Sequence, residues 1–208
     1  MEDVIQTYLR AYDPRYPVVC FDEACKQLFG EIRPAQRVRP GSPARIDYEY
    51  ERKGVCHQLL MCDPLRGWRH VKVTARRTRR DYAECVRDLV DRHYPQAEQI
   101  RLVQDNLNTH DGASLYEAFP PAEARRILDK IEFHYTPKHG SWLNMAETEI
   151  HIMNSPCLNR RLDTQSLIAA EVAAWKKKRN LAKARIHWTF TLAAARRKLR
   201  KLYPSIED

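Results

Sequence analysis

Pro17-Val18-Val19-Cys20-Phe21-Asp22 is the stretch from which the fold is read. It is short, apolar and β-branched, it follows prolines at positions 14 and 17, and it ends in an acid. A run of that length reads as a buried strand, since a buried helix needs ten residues or more. Outward from it, Tyr48 to Cys62 is strand material with a kink at Gly54, and Asp63-Pro64-Leu65-Arg66-Gly67 is a turn. Trp68 to Thr74 alternates apolar and polar residues, as a half-buried strand does. These three predict an antiparallel run. Between the first two, residues 26–45 contain Arg33-Pro34, Arg39-Pro40-Gly41 and Ser42-Pro43 and read as an extended basic loop.

Further on, Arg80 to Tyr94 carries Tyr82, Cys85, Val86, Leu89 and Val90 at helical spacing, and Pro95 stops it. Ile100 to Val103 is a fourth strand, ending at Gln104-Asp105-Asn106. Helices are expected over Ala113–Phe119 and Ala122–Lys130, with a fifth strand over Ile131–Tyr135. Ser141 suits the cap of the next helix, Thr164 to about Lys183 forms a long amphipathic one, and Leu192–Leu202 a last basic one. Three antiparallel strands, helix, strand, helices, strand and helices predict a mixed α/β sheet with helices on both faces, in ribonuclease-H-like order. The expected division is a lead-in over 1–16, a catalytic core over 17–160 and a basic helical segment over 161–208 packed on the core.

The chain of 208 residues has a net charge of +9. From Arg160 to Lys201 there are 13 Lys and Arg against two acids, so this fifth of the chain carries the whole excess. A basic segment on a balanced domain points to a polyanionic partner, nucleic acid first, against the plain alternative of a solvated helix surface. The six cysteines form no C-x-x-C pair and no zinc-finger spacing, so they read as reduced thiols. No apolar run is long enough to span a bilayer, and the start does not read as a signal peptide. A cytoplasmic, nucleoid-associated protein of bacterial type is expected, with neither a membrane nor a small-molecule substrate as partner.

Asp22 and Asp105 each follow an apolar strand, and ligand chemistry in open α/β sheets collects at the carboxyl ends of strands. Glu147 lies one turn into the helix opened by Ser141. Its neighbours Leu143 and Ile150 predict that it faces the sheet, with Glu149 on the opposite side. Each acid alone also has a structural reading, as a turn former, a cap or a charge suited to the helix dipole. Three carboxylates in one low-dielectric site repel each other, and a divalent cation relieves that conflict. A pair of such ions suits phosphodiester cleavage.

Val18-Val-Cys-Phe-Asp22-Glu23, Leu102-Val-Gln-Asp105-Asn106-Leu-Asn-Thr-His110 and Gly140-Ser-Trp-Leu-Asn144-Met-Ala-Glu147 carry a resemblance. So do Leu158-Asn-Arg-Arg161 and Ile186-His-Trp-Thr-Phe190. From about Tyr12 to Tyr203 the sequence resembles the catalytic domain of insertion-sequence transposases of the mariner superfamily, the DDE superfamily endonucleases. The resemblance implies a ribonuclease-H-like fold and Mg²⁺ or Mn²⁺, two ions, on Asp22, Asp105 and Glu147. It also implies nicking at transposon ends, attack of the freed 3′-hydroxyl on target DNA, and a homodimer acting on paired ends. Asn144 matches a supporting asparagine of the family. Asn106 and His110 match family positions, either capping the strand end or approaching DNA, and a structural role is the preferred reading of His110.

In two respects the sequence departs from the family pattern. The interval from Asp105 to Glu147 is longer than in the best-known mariner elements, and Pro120–Lys130 reads as a helical insertion. The helix-turn-helix modules that normally precede the catalytic domain are not expected here, which predicts weak recognition of terminal repeats. Candidate phosphate contacts are Lys26, Arg33, Arg37 and Arg39 in the basic loop, Arg76, Arg77, Arg79 and Arg80 after the third strand, and Lys176, Lys177 and Lys178 in the C-terminal segment. Two rival readings remain: another ribonuclease-H-like nuclease without strand transfer, and a non-catalytic DNA-binding remnant of a transposase.

Overall fold

The computed structural model describes residues 1–33, 36, 38–43 and 47–203. Its centre is a five-stranded sheet in the order β3-β2-β1-β4-β5. β1 (Val18–Glu31), β2 (Tyr50–Asp63) and β3 (Trp68–Thr74) are antiparallel neighbours. β4 (Ile100–Gln104) and β5 (Ile131–Tyr135) continue the sheet parallel to β1. This is the expected mixed sheet in ribonuclease-H-like order.

Alternation along the strands sorts the side chains onto two faces. On one face Val18, Cys20, Leu60, Cys62 and Val103 meet α1 (Glu2–Leu9), α5 (Met145–Cys157), α6 (Gln165–Leu181) and α7 (Leu192–Lys198). On the other, Val19, Phe21, Leu59, Met61, Ile100 and Leu102 meet α2 (Arg79–Asp88), α3 (Ala113–Ala118) and α4 (Pro121–Leu128). Helices therefore cover both faces, as the sequence predicts. Val4, Ile5 and Tyr8 of α1 belong to the core itself. All six cysteines are free, and Cys20, Cys56, Cys62 and Cys85 are buried.

Two local expectations are corrected. The stretch read as a loop from Lys26 begins as strand, because β1 runs on to Glu31. β2 is equally long and supplies partners over that length: Lys26 faces Cys56 and Gly30 faces Glu51. A register shift between Gln27 and Phe29 lies near Gly54, whose φ of 92° needs a glycine. The second correction concerns α5. Its cap is Asn144, and Ser141–Leu143 forms a separate 3₁₀ turn. The inward stripe of α5 is Met145, Ala146, Glu149, Ile150 and Met153, so Glu149 is buried and Glu147 is exposed, the reverse of the sequence expectation.

Glu149 is tolerated inside because it is paired. Arg69 of β3, also fully buried, donates from Nε at 3.1 Å and Nη2 at 2.7 Å to its two carboxylate oxygens. Arg179 of α6 adds a bond at 2.6 Å, and Arg69 also donates to the carbonyls of Gly67 and Ala184. Asn180 bonds both backbone groups of Arg69. One polar knot thus joins β3, α5 and α6. Breaking such a pair from one side strands a buried charge. Glu149→Ala is expected to cost roughly 3–5 kcal/mol, about 10 °C in Tm, by thermal or urea unfolding. A loss under 1 kcal/mol would show that the pair does not hold α5. Gly67 has φ 72°, and a Cβ there would lie 2.5 Å from the Lys183 carbonyl. Gly67→Ala should cost about 2 kcal/mol in the same experiment, and an unchanged midpoint would refute that packing.

Candidate active site

Asp22 and Asp105 come to one place through the sheet register. β1 and β4 pair in parallel at Val18–Cys20 and Arg101–Val103, with Cys20 opposite Val103. Carried two residues past that pairing, the register sets Asp22 of β1 level with Asp105, just beyond the end of β4. β4 ends at Gln104, so a crevice opens there, at the junction between the antiparallel and parallel halves of the sheet. Asp22 therefore lies at the end of the parallel pairing while β1 itself continues.

Asn144 ties this point to α5. Its side chain is buried and accepts from the Ala146 N–H at 3.1 Å, capping the helix. Its amide nitrogen donates to the Phe21 carbonyl at 2.8 Å and to Asp22 Oδ2 at 3.3 Å. Tyr8 of α1 donates to the Leu143 carbonyl at 2.8 Å and steadies the same corner. Glu147 lies in the first turn of α5, exposed, on the side from which its charge reaches Asp22.

Electrostatics divide the acids. Burial raises the Asp22 carboxyl to about 6; the Glu23 N–H bond opposes this, while the charges of Asp105 and Glu147 add to it. Burial acts most strongly on Asp105 and raises it, but the His110 bond and charge, the Leu107 N–H and Arg77 together leave the carboxyl lowered. Glu23 is likewise lowered against burial, by His110 and Arg77. His110 is fully buried, with Nε2 3.7 Å from Glu23; burial disfavours its cation, yet its two acids raise it to about 9. The ring lies edge-on to Phe21 and beside Tyr82, and its carbonyl accepts from Gln104 at 2.9 Å. The buried His110 ring stands between Asp105 and Glu23, and Arg77 completes the row.

Beside Asp105 a cleft of about 580 Å³ runs past Asn106, Tyr135, Lys138, His139 and Ser141. The sequence does not mark Pro137–Gly140 as part of a site. The only hint of more is a Lys-His pair before glycine, and His139 indeed has φ 63°. A second cleft, of about 440 Å³, lies around Arg66, Trp68 and Lys183 by the β2–β3 turn and includes none of the acids.

The basic residues are scattered more widely than the acids. Arg77 reaches the site through Glu23, Arg79 pairs with Glu117, and Arg76 and Arg80 are exposed. Lys26 is half-buried on β1, Arg33 lies 3.7 Å from Asp47, and Arg39 forms a turn with Ser42. Arg37 lies outside the described residues. Lys176 sits at the β3 edge, lowered by burial, and Lys177 and Lys178 are exposed. The structure does not gather these side chains into one surface.

The fit of the acids to a divalent cation is chemical. The donor set is all oxygen, and Asp22 is a half-buried carboxylate facing two further carboxylates. Among the described residues no three His, Cys, Asp or Glu side chains already stand together as a ligand set. Asp105 is instead hydrogen-bonded to His110. Among the described residues no helix is long and apolar enough to cross a membrane.

Among solved structures, the chain is similar to the Mos1 mariner paired-end complex with Mn, at 15% identity, covering 87% of this chain and 55% of that one, with a TM-score of 0.57. It is also similar to the Mos1 paired-end complex with the left transposon end, at 14% identity and TM-score 0.55, covering 82% and 52%. The Mos1 strand transfer complex matches at 14% identity and TM-score 0.53, with the same coverage. At such identity the likeness speaks for the fold, and this chain spans about half the length of those proteins. No curated protein matches the sequence. Residues 17–168, which hold all three acids, match the model of one family, and the chain belongs to it: the DDE superfamily endonucleases.

Proposed function

We propose that the chain is a transposase catalytic domain that cleaves DNA strands with divalent metal and transfers the freed 3′ end to target DNA. The observation that carries the reading is the register that sets Asp22 level with Asp105, with Asn144 linking Asp22 to the helix that bears Glu147. In this reading Asp22, Asp105 and Glu147 hold Mg²⁺ or Mn²⁺, two ions. When bound, the ions supply charge for the attacking and leaving oxygens of an in-line displacement. Asn144 fixes the Asp22 carboxylate, and His110 keeps Asp105 ionised. The cleft along Lys138 and His139 receives the substrate strand, and Arg76, Arg77 and Arg80 place phosphates beside it. Residues 17–160 carry the catalysis and 161–208 a basic support. The substrates are transposon ends and target DNA, and the acting form is a homodimer on paired ends of a cytoplasmic, nucleoid-associated protein.

Two measurements bear on this. Incubated with Mg²⁺ or Mn²⁺ and DNA bearing inverted-repeat ends, the protein is expected to nick and join strands, and Asp105→Asn to reduce both by roughly 100-fold or more. Equal cleavage by both proteins overturns the assignment, and nicking without joining favours a purely hydrolytic nuclease. The second measurement is stability against pH. A carboxyl raised from 3.8 to about 6 binds its proton more tightly in the folded state, so stability falls as pH rises from 4 to 6. Metal-free Asp22→Asn should therefore melt about 4 °C above wild type at pH 7–8, on the order of 1–2 kcal/mol after solvent screening, and no higher at pH 4. Mg²⁺ should raise the wild-type Tm and leave the variant's unchanged. A variant that melts with wild type at both pH values contradicts the electrostatic account of Asp22.

A further inference from the structure

The loop end of the β1–β2 hairpin holds a cleft of about 360 Å³ lined by Lys26, Phe29, Tyr48, Tyr50, Arg160 and Arg161. Nothing in the catalytic reading uses its aromatic side chains. Tyr48 is 88% exposed and Tyr50 44%. Tyr50 is held in place: Phe29 meets it edge-on at 4.7 Å, and the Arg161 guanidinium lies 5.8 Å from its ring centre. Arg161 is itself anchored to the Glu49 carbonyl at 3.1 Å, and Arg160 is oriented by an ion pair with Glu171. Among the described residues Tyr48 has no aromatic or cationic ring partner, so its faces are open. No acid lines the cleft, whereas three cations do. Aromatic rings between Lys and Arg on a concave surface match a nucleic-acid strand, whose bases stack and whose phosphates pair.

Position adds direction. Asp22, Ala24 and Lys26 alternate onto the same sheet face, and Lys26 lies four residues, about 13 Å, along β1 from Asp22. A strand crossing the acids and following β1 arrives at the cleft. The space is about that of one nucleotide, and stacking on a tyrosine requires a base already out of the helix. We propose that this cleft binds an unpaired nucleotide of the DNA strand at the acidic site, its base stacked on Tyr48 and Tyr50 and its phosphates on Lys26, Arg160 and Arg161. The proposal rests on the DNA-cleaving reading for its substrate. It predicts sequence-tolerant binding, because every base offers a π-face.

The test is equilibrium binding by fluorescence anisotropy in Ca²⁺, which reads affinity without cleavage. A duplex with a five-nucleotide single-stranded extension is compared with a blunt duplex of equal length. The tailed DNA is expected to bind roughly 10-fold tighter. Tyr48→Ala should erase the difference and Tyr48→Trp keep it, while Lys26→Glu weakens tailed DNA and lowers the salt dependence. Thermal melting checks that the variants are folded, which the exposure of Tyr48 favours. Equal affinity of wild type for both DNAs, or an undiminished preference in folded Tyr48→Ala, overturns the proposal. So does a change from dimer to monomer in Tyr48→Ala by sedimentation, which would assign the cleft to a second copy of the chain. Loss of the catalytic assignment through active Asp105→Asn leaves this binding preference standing, so the two readings fail separately.

Discussion

The buried pair of Arg69 and Glu149 fixes how the rest of the molecule fits together. Apolar contacts of Met145, Ala146, Ile150 and Met153 with the sheet face are not directional, so they specify the rotation of α5 less sharply than a hydrogen-bonded pair does. A fully buried carboxylate has no such tolerance, because it must meet a guanidinium at hydrogen-bond distance or cost several kcal/mol. With Glu149 turned onto β3, Glu147, two residues earlier, is turned out at the mouth of the helix. The same rotation aims the Asn144 cap at the Phe21 carbonyl and the Asp22 carboxylate. The acid nearest solvent owes its placement to the acid farthest from it.

This knot also explains why part of the site escaped a reading of the sequence. β3 and β5 are legible to the residue, because Trp68–Thr74 alternates cleanly and Ile131–Tyr135 is bounded by polar turns. The far half of β1 is not. Ala24 to Glu31 has no apolar run of its own and becomes strand only because β2 is long enough to pair with it. The interchange of Glu147 and Glu149 has a similar origin. Counting Leu143 into the helix turns Glu147 inward, but Leu143 belongs to the preceding 3₁₀ turn, and only the three-dimensional neighbourhood reveals that Arg69 and Arg179 wait on the inner side for Glu149. Asp22, Asp105 and Asn144, by contrast, stand out in the sequence because the words around them carry the family likeness, and the family match over residues 17–168 includes them.

His110 shows how the fold assigns different charge states to acids within one crevice. A lone histidine after a strand gives no sign that the following loop folds it back under Asp105 and toward Glu23. Once there, it is sealed by Phe21 and Tyr82, and its own carbonyl is held by Gln104. Burial alone would neutralise the ring, and the two carboxylates reverse that. The His110 ring helps hold the carboxyls of Asp105 and Glu23 low, while Asp22, whose chief side-chain partner is the neutral amide of Asn144, is pushed the other way by burial and its acidic neighbours. The unrelieved negative potential of the crevice is therefore concentrated on the side of Asp22 and Glu147. The hydrogen bonds behind the acids thus set them apart: Asp105 is held by the buried His110 ring, and Asp22 by the neutral amide of Asn144.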